Sequence, residues 1–273
     1  MPSVDRYAVI GHPVSHSRSP FIHGKFAEAT AQALVYDRID ATPEDFVGVV
    51  RAFFQEGGKG LNVTVPHKEA AATLSDELSE RARQAGAVNT LIALPGGRIR
   101  GDNTDGVGLV TDLESNLGVT LEGRRILLIG AGGAARGVMA PLLARAPSAL
   151  VVVNRTASRA EALAAHFACL GAVTGGGSTL LDREASFDVV INASSAGLAG
   201  TVMELPRHVV GPTSIGYDMV YRTGATPFMQ QLIDMGAARV WSGFGMLVEQ
   251  AAESFYLWRG IRPPTAGVLA QLC

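Results

Sequence analysis

Short apolar runs alternate with longer helical patterns along almost the whole chain. Segments such as Tyr7–Ile10 and Arg125–Ile129 have the length of buried strands, and each is followed by a segment with helical spacing. Two parallel strands must be joined by a long crossover, which is usually a helix. The alternation therefore predicts an α/β fold, with mostly parallel sheets that carry helices on both faces.

Several local expectations follow from turn and strand chemistry. Leu61–Val65 is predicted to be a strand that Pro66 ends, because proline cannot donate to a sheet ladder. Pro95–Gly97 is typical of a hairpin turn. Asp105–Leu117 has the pattern of a helix, and Gly175–Gly177 is predicted to be a surface loop.

The length of 273 residues fits about two domains of roughly 150 residues each. The first series of strands and helices ends after residue 105, and a glycine-rich unit follows it. We therefore predict a first domain over residues 1–105 and a second over residues 106–242. The C-terminal helices, residues 243–273, are predicted to pack back on the first domain.

Composition excludes several classes of function. The net charge of −2 offers no basic surface for nucleic acid or acidic lipid, and no apolar run reaches the roughly 18 residues of a membrane span. The N-terminus lacks the basic flank and apolar core of a secretory signal. Cys169, Cys273 and the scattered histidines form no metal motif. We expect a cytoplasmic protein without a resident metal.

A glycine-rich loop follows the strand Arg125–Ile129 and precedes a helix. It has the pattern G-x-G-x-x-A and consists of Gly130, Ala131, Gly132, Gly133, Ala134 and Ala135. Gly130 permits a tight turn, and Gly132 lets backbone N–H groups approach a pyrophosphate at the helix N-terminus. A plain structural turn is the alternative, but the strand–loop–helix context favours a dinucleotide site.

The end of the next strand indicates which dinucleotide binds. Val151–Val153 is followed by Asn154, Arg155 and Thr156, with Arg159 shortly after. An enzyme that prefers NAD usually places a carboxylate here to accept from the ribose 2′-OH. Arginines at this position can instead pair with a 2′-phosphate. The sequence therefore predicts NADP(H), and ordinary solvated arginines are the alternative.

The first half of the chain contains polar motifs that packing does not require. Ser17 and Ser19 precede a helix, and both hydroxyls can face a carboxylate or polyhydroxylated ligand; a helix N-cap at Ser19 is the alternative. Asn62 and Thr64 are predicted to share one face of a strand, which ends just before Lys68 opens a helix. Ligands of open α/β sheets bind at such strand ends.

Lys68 is one of only three lysines in the chain, against twenty arginines. Asn89 and Asp105 supply further polar side chains near the domain change. A lysine can carry a proton while a carboxylate orients it, so Lys68 and Asp105 form a plausible proton-transfer pair. A solvated lysine and a helix N-cap at Asp105 are the alternatives.

Taken in order along the chain, these motifs resemble those of the shikimate dehydrogenases. The resemblance covers nearly the whole chain and rests on SHSRSP (15–20), GGKGLNVTVPHK (57–68), AGAVNTL (85–91), GDNTDG (101–106), IGAGGAARG (129–137), NRT (154–156), INASSAG (191–197), YDMVY (217–221), TPF (226–228) and GFGMLVEQA (243–251). It implies an N-terminal substrate domain, a Rossmann NADP domain and a cleft between them. The implied reaction is the reversible NADPH-dependent reduction of 3-dehydroshikimate to shikimate.

The resemblance also implies roles for individual residues. Lys68 and Asp105 correspond to the catalytic pair. The implied substrate contacts, besides that pair, are Ser17, Ser19, Thr64, Asn89, Tyr221 and Gln250. The implied cofactor contacts are Gly130, Ala131, Gly132, Gly133, Ala134, Asn154, Arg155, Thr156, Arg159, Asn192, Ala193, Ser194, Met219, Gly243 and Met246. The implied partners are small molecules, and the chain is expected to be a monomer or homodimer.

The chain departs from the family pattern at two places, and three rival functions are open to it. His67 stands where many members have Phe, and the segment 192–197 is NASSAG rather than the commoner NATSxG. A quinate/shikimate dehydrogenase that uses NAD is disfavoured by Arg155 and Arg159. A regulator without turnover is expected to lose Lys68 or Asp105. An amino-acid or tetrahydrofolate dehydrogenase has no use for the serine pair.

Overall fold

The computed structural model describes residues 4–194, 202–222 and 224–272. The chain divides into two compact units, one of residues 1–109 and 247–273 and the other of residues 110–246. The sequence places these boundaries at 105/106 and 242/243, and the roles assigned to the two domains stay predictions at this point. Residues 195–197 of the INASSAG motif and Cys273 lie outside the described residues.

The first unit contains a six-stranded mixed sheet. Its strands are β1 (Asp5–Gly11), β2 (Leu34–Asp40), β3 (Gly60–Val63), β4 (Glu77–Leu78), β5 (Thr90–Ala93) and β6 (Ile99–Asp102). The spatial order is β2-β1-β3-β5-β6-β4. The pairs β1–β2, β1–β3 and β4–β6 are parallel, whereas β5 is antiparallel to both β3 and β6. The predicted hairpin turn at Pro95–Gly97 is confirmed, since it joins β5 to β6.

The second unit contains a six-stranded sheet in which every pair of neighbours is parallel. Its strands are β7 (Arg125–Ile129), β8 (Ala149–Val153), β9 (Val173–Gly176), β10 (Phe187–Asn192), β11 (Val210–Asp218) and β12 (Arg239–Ser242). Their spatial order, β12-β11-β10-β7-β8-β9, is that of a doubly wound dinucleotide-binding sheet. The strand order reverses between β7 and β10, and ligands of such sheets bind outside the carboxyl ends at this point.

Helices cover both sheets. In chain order they are α1 (Ser19–Thr30), α2 (Phe46–Gln55), α3 (Lys68–Leu74), α4 (Glu80–Ala85), α5 (Asp105–Thr111), α6 (Gly133–Leu143), α7 (Ala157–Phe167), α8 (Pro227–Asp234), α9 (Phe244–Arg259) and α10 (Ala266–Leu272). Val248 and Phe255 of α9 pack with Ile22 and Phe26 of α1 in one buried cluster. The C-terminal helical residues thus complete the core of the first unit.

Strand β3 is shorter than the sequence predicts. It ends at Val63, and Thr64 begins a turn in which its carbonyl accepts from His67 N–H at 3.0 Å. The Thr64 N–H still donates to the Ile10 carbonyl at 2.9 Å. Thr64 therefore lies outside the strand that contains Asn62 and is the first residue of the turn before α3.

Gly175–Gly177 is not simply a surface loop, because Gly175 and Gly176 belong to β9 and pair with β8. A side chain at Gly175 would not fit there. A Cβ placed on Gly175 would lie 2.1 Å from the carbonyl oxygen of Ala160 in α7. The glycine therefore allows the edge strand to lie directly against the helix.

The predicted helix Asp105–Leu117 changes character after Thr111. Asp112–Asn116 forms a π-helical turn that follows α5. The buried Asp112 carboxylate accepts from the Tyr217 hydroxyl at 2.6 Å and from Asn116 Nδ2 at 2.9 Å. We attribute the widened turn to this buried carboxylate, which the periodicity of the sequence does not reveal.

His23 is buried within an aromatic cluster of the first unit. Its ring stacks on Tyr36, with centroids 4.2 Å apart and an interplanar angle of 5°, and it also contacts Phe255 and Trp258. Burial lowers the pKa of His23 to about 3, and a contact with Asn62 offsets this only in part. The imidazole is therefore neutral in the folded protein at ordinary pH.

His23→Phe should remove part of the acid sensitivity of folding. Between pH 3 and 6.5 the unfolded state binds a proton at His23 that the folded state does not, so stability falls as pH falls through this window. From pH 7 to pH 5 this group accounts for about 2 kcal/mol of lost unfolding free energy. Urea unfolding of both proteins at these pH values measures the difference.

His16→Gln serves as the control, because His16 is exposed in the same unit. We expect it to keep the pH dependence of the wild type. An unchanged pH dependence in His23→Phe would show that His23 is not neutral in the folded state.

Candidate active site

Lys68 and Asp105 form a buried ion pair in the first unit. Lys68 is the first residue of α3 and Asp105 is the first residue of α5. The ammonium Nζ donates to Asp105 Oδ2, and the two side chains are only 12% and 6% exposed. Removing two charges from water is costly unless further hydrogen bonds satisfy them. The solvated lysine is therefore excluded as an interpretation of Lys68.

Asn89 satisfies the second oxygen of Asp105. Its Nδ2 donates to Asp105 Oδ1 at 2.9 Å and to Gln250 Oε1 at 3.2 Å. The Thr104 backbone N–H donates to Asn89 Oδ1 at 2.8 Å. Because a backbone N–H can only donate, the amide oxygen must face Thr104, and the NH₂ group must face Asp105. The structure thus brings together Lys68, Asn89, Asp105 and Gln250, four of the residues that the resemblance assigns to the substrate site.

A second layer of polar side chains holds this cluster. Asn62 Nδ2 donates to Ser254 Oγ at 2.9 Å and to Thr90 Oγ1 at 3.3 Å, while the Thr90 hydroxyl donates to Asn89 Oδ1 at 2.9 Å. All of these side chains are buried. Thr104 and Asn62 stand inside the motifs GDNTDG and GGKGLNVTVPHK, whereas the only signal for Ser254 in the sequence is its helical spacing from Gln250.

Ser17 and Ser19 also lie together in the first unit. Their hydroxyl oxygens are 3.2 Å apart, both residues are buried, and Ser17 Oγ accepts from the Ser19 backbone N–H at 3.3 Å. The N-cap of α1 is Arg18, so the interpretation of Ser19 as the N-cap is wrong. The loop geometry thus presents a pair of hydroxyls side by side.

His67 points away from the lysine that follows it. Its Nε2 lies 2.8 Å from the Ala41 carbonyl oxygen, and its ring stacks on Phe46 with centroids 4.4 Å apart. Burial lowers the pKa of His67. The imidazole takes the place of an aromatic ring in the core, and its geometry does not suit a general base for the Lys68 site.

The glycine loop of the second unit has the geometry that a phosphate site needs. Gly130 has φ of +115°, and a Cβ there would lie 3.0 Å from the Ala193 carbonyl carbon and the Ser194 nitrogen. Gly132 is the N-cap of α6, and a Cβ there would meet no atom of the described residues within 4 Å. Gly130 therefore serves the turn, while Gly132 leaves open space in front of the helix N-terminus.

The residues after β8 carry positive charge to the same edge of the sheet. Arg155 and Arg159 are exposed, and in the described parts of the chain neither forms an ion pair with a carboxylate. Asn154 Nδ2 donates to the Thr156 carbonyl at 3.0 Å. Thr156 is the N-cap of α7, but within the described residues its hydroxyl makes no capping hydrogen bond. Two cations and a hydroxyl are thus available to an anionic ligand.

Asn192, at the end of β10, joins several of the remaining predicted cofactor contacts. Its Oδ1 accepts from Ser194 N–H at 3.1 Å, and its carbonyl accepts from Met219 N–H at 2.9 Å. Its Nδ2 donates to Asp218 Oδ1 at 2.9 Å. Ala193 N–H donates to the Ile129 carbonyl at 2.8 Å, so this loop lies beside the glycine loop.

Asp218 is a buried carboxylate in this region that the predicted site does not include. It accepts from Asn192 and from the hydroxyl of Thr226, the N-cap of α8, at 2.5 Å. Burial raises the pKa of Asp218, although these hydrogen bonds act in the opposite direction. Its signal in the sequence was its place in the YDMVY motif, directly before Met219.

Gly243, Met246 and Tyr221 complete the predicted contacts. A Cβ on Gly243 would lie 2.5 Å from the Met219 carbonyl oxygen. The Met246 N–H donates to the Tyr217 hydroxyl at 3.1 Å. Tyr221 is half-buried and its ring lies 5.5 Å from that of Phe244. All of these residues, Phe244 included, stand in the motifs YDMVY (217–221) and GFGMLVEQA (243–251) on which the resemblance rests.

Residues 4–194, 202–222 and 224–272 offer neither a metal cluster nor a membrane span. In that part of the chain no group of three or more His, Cys, Asp or Glu side chains could hold a metal ion. None of its helices is long and apolar enough to cross a membrane.

Comparison with family models identifies three matching regions. Residues 9–91 match the shikimate dehydrogenase substrate binding domain. Residues 112–201 match shikimate / quinate 5-dehydrogenase, and residues 243–273 match the shikimate 5′-dehydrogenase C-terminal domain.

Relatives and solved structures also match over nearly the whole length of the chain. The chain is 54% identical over 268 residues to the shikimate dehydrogenase (NADP(+)) of Alkalilimnicola ehrlichii, a match that covers 98% of each chain. It is similar to the crystal structure of an Ael1 enzyme from Pseudomonas putida, with 46% identity, a TM-score of 0.89 and 98% of each chain covered. It is also similar to shikimate 5-dehydrogenase from Thermus thermophilus in complex with NADP(H) and shikimate, with 33% identity, a TM-score of 0.85 and 97% of each chain covered.

The two glycines of the loop should respond differently to alanine. Gly132→Ala should fold with nearly unchanged stability but raise the KM for NADPH about tenfold or more, because the new methyl group occupies the space where the backbone approaches phosphate. Gly130→Ala should lower the melting temperature, because its φ of +115° is unfavourable for alanine. Thermal unfolding and NADPH titration separate the two effects. An unchanged KM in Gly132→Ala would contradict a phosphate site at this loop.

Proposed function

The chain belongs to the shikimate dehydrogenase family, and we propose that Lys68 and Asp105 are the groups that carry its chemistry. It is an NADP-dependent oxidoreductase that acts on a CH–OH group. It catalyses the reversible NADPH-dependent reduction of 3-dehydroshikimate to shikimate, a step of the shikimate pathway to chorismate and the aromatic amino acids. The observation that supports the residue roles is the buried Lys68–Asp105 pair, held in place by Asn89.

Lys68 is the proton donor in this proposal. Reduction of a ketone places negative charge on its oxygen, and an ammonium group can hydrogen-bond that oxygen as the charge develops and then protonate it. An arginine could not serve, because a guanidinium does not release its proton in a protein. In the reverse direction the neutral Lys68 amine accepts the proton of the shikimate hydroxyl.

Asp105 positions that ammonium and binds the ring hydroxyls together with its neighbours. One carboxylate oxygen accepts from Lys68 and the other from Asn89, so the carboxylate is fixed in orientation. Asn89 and Gln250 present further polar atoms on the same side, and Thr64 stands at the adjacent turn. Such rigid contacts hold the reacting carbon in place, which contributes much of the rate in a bimolecular step.

The serine pair completes the proposed substrate site. Ser17 and Ser19 are neutral donors that lie side by side and are suited to the two oxygens of a carboxylate. Tyr221 is proposed as a further substrate contact, on the resemblance alone.

The second unit holds the cofactor. NADPH, when bound, supplies the hydride. Gly130–Ala134 with the N-terminus of α6 bind the pyrophosphate, and Arg155, Arg159, Asn154 and Thr156 bind the 2′-phosphate. The remaining proposed contacts, on the nicotinamide side, are Asn192, Ala193, Ser194, Met219, Gly243 and Met246.

The proposal extends to partners and location. The chain binds small-molecule substrates, and we propose that it works as a monomer or homodimer in the cytoplasm. The net charge of −2 supports the absence of a nucleic-acid partner. The division into a substrate domain and a cofactor domain follows the same assignment of residues.

Lys68→Ala should lower kcat by at least about 10²-fold, because the proton donor is lost. The KM for shikimate should change little, since the hydroxyl contacts remain. Steady-state oxidation of shikimate with NADP⁺ measures both constants. Lys59→Ala, which removes an exposed lysine of the same unit, should behave as wild type. A kcat near that of the wild type in Lys68→Ala would exclude Lys68 as the proton donor.

Arg155→Ala should raise the KM for NADPH about tenfold or more while the KM for NADH stays within about twofold, because only NADPH carries the 2′-phosphate that the guanidinium pairs with. Initial rates with each cofactor measure the two values. Arg183→Ala, at an exposed position of the same unit, provides the control. Equal changes for NADPH and NADH would mean that Arg155 does not read the 2′-phosphate.

A further inference from the structure

Arg38, on strand β2, forms hydrogen bonds with the backbone of the serine pair. Its Nε and Nη2 both donate to the Ser17 carbonyl oxygen, at 3.0 Å and 2.6 Å. The Ser17 N–H donates to the Val14 carbonyl at 3.0 Å, so both backbone groups of Ser17 are fixed. A guanidinium that sends two N–H groups to one oxygen restricts the orientation of that peptide. The position of the Ser17 hydroxyl is therefore set partly by a residue of the neighbouring strand.

The positive charge of Arg38 is not neutralised by the protein around it. In the described part of the chain Arg38 forms no ion pair with a carboxylate. Asp40, two residues further along the same strand, is the acidic residue that binds the same loop. Its carboxylate is 2.5 Å from His12 Nδ1 and also accepts from the Val14 N–H at 3.4 Å. Asp40 is therefore engaged elsewhere in the loop.

The serine pair carries no positive charge to stabilise a carboxylate ligand. Two hydroxyls offer at most two neutral hydrogen-bond donors, and their oxygens already lie within hydrogen-bond distance of each other. A hydrogen bond to a carboxylate is stronger when positive charge is near. Arg38 is fixed one carbonyl group away from Ser17, on a strand, and so it supplies charge at a defined place.

We propose that Arg38 is a positioning residue that makes the serine pair selective for an anionic substrate. It holds the Ser17 peptide in place, and its charge attracts the substrate carboxylate to the two hydroxyls. This inference rests on the proposed function, in which Ser17 and Ser19 hold that carboxylate. It adds a residue that does not itself touch the substrate and that the motifs of the sequence do not mark.

The test compares a charged substrate with a neutral one. Arg38→Gln and the wild type are assayed with NADP⁺ on shikimate and on its methyl ester, which has no negative charge. Arg38→Gln should lower kcat/KM for shikimate about five- to tenfold, through KM. Arg38 is an exposed residue, but its guanidinium is bound to the Ser17 carbonyl and so lies within about one Debye length of the Ser17 hydroxyl, where a charge is only partly screened. The kcat/KM for the ester should change by less than about twofold. The wild-type preference for shikimate should fall by the same factor.

Three variants separate charge from fold and from the proposed function. Arg38→Lys keeps the charge and should retain most of the preference for shikimate. Arg51→Gln removes an exposed arginine from α2 of the same unit and should leave both substrates unaffected. Ser17→Ala should lower the preference for shikimate whatever Arg38 does, since it removes a donor to the carboxylate. In the wild-type protein, added NaCl should raise the KM for shikimate but not the KM for the ester. This result would support an electrostatic attraction of the substrate carboxylate without any substitution.

Each outcome separates the role of Arg38 from that of the serine pair. Equal losses on shikimate and ester in Arg38→Gln, or no loss on either, would overturn the role of Arg38 and leave the proposed function standing. If Ser17→Ala also kept the full preference for shikimate, the serine pair would not be the carboxylate site. If Arg38→Gln failed to fold, Arg38→Lys and the salt dependence of the wild type would decide, and a KM for shikimate that ignores salt would overturn the proposal.

Discussion

The first unit is organised around the cost of burying the Lys68–Asp105 ion pair. Two charges at 12% and 6% exposure can be tolerated only where each remaining lone pair and N–H is satisfied. Asn89 fills the second oxygen of Asp105, and the Thr104 backbone fixes which end of the Asn89 amide faces it. Thr90, Asn62 and Ser254 lie behind them, and their buried polar groups form hydrogen bonds with one another and with Asn89. The network fixes the Asp105 carboxylate to which the Lys68 ammonium donates, as positioning of the proposed proton donor requires.

In the proposed function the second unit meets a different requirement, which is to leave room for an anion. A phosphate group must approach backbone N–H groups, so side chains have to be absent where it lies. Gly132 leaves that space open, whereas Gly130 is required by its own backbone angle and by the close contact with Ala193. The strand order reverses at this point of the sheet, between β7 and β10. Asp218 then ties the ends of β10 and β11 to the start of α8.

Much of the fold and site follows from patterns that are local in the sequence. The alternation of strands and helices, the hairpin at Pro95–Gly97 and the glycine loop depend on residues that are close together in the chain. The exceptions depend on distant partners. The strand at Gly175 needs the Ala160 carbonyl as its neighbour, and the π-turn at Asp112 needs Tyr217. Periodicity carries no information about such contacts, whether the partner stands on the preceding helix, as for Gly175, or more than a hundred residues away, as for Asp112.

The sequence by itself determined the class of fold, the family and the cofactor, and it named the residues proposed to carry the chemistry, because those residues belong to compact motifs with fixed local spacing. It could name Lys68 and Asp105 as candidates but left a solvated lysine and a helix cap open. Only the tertiary structure excluded the solvated lysine, since pairing, burial and the orientation of Asn89 arise where the starts of α3 and α5 meet the residue before β5. The contact between Arg38 and the Ser17 carbonyl is of the same kind, because the two residues stand on different segments and no local pattern records it.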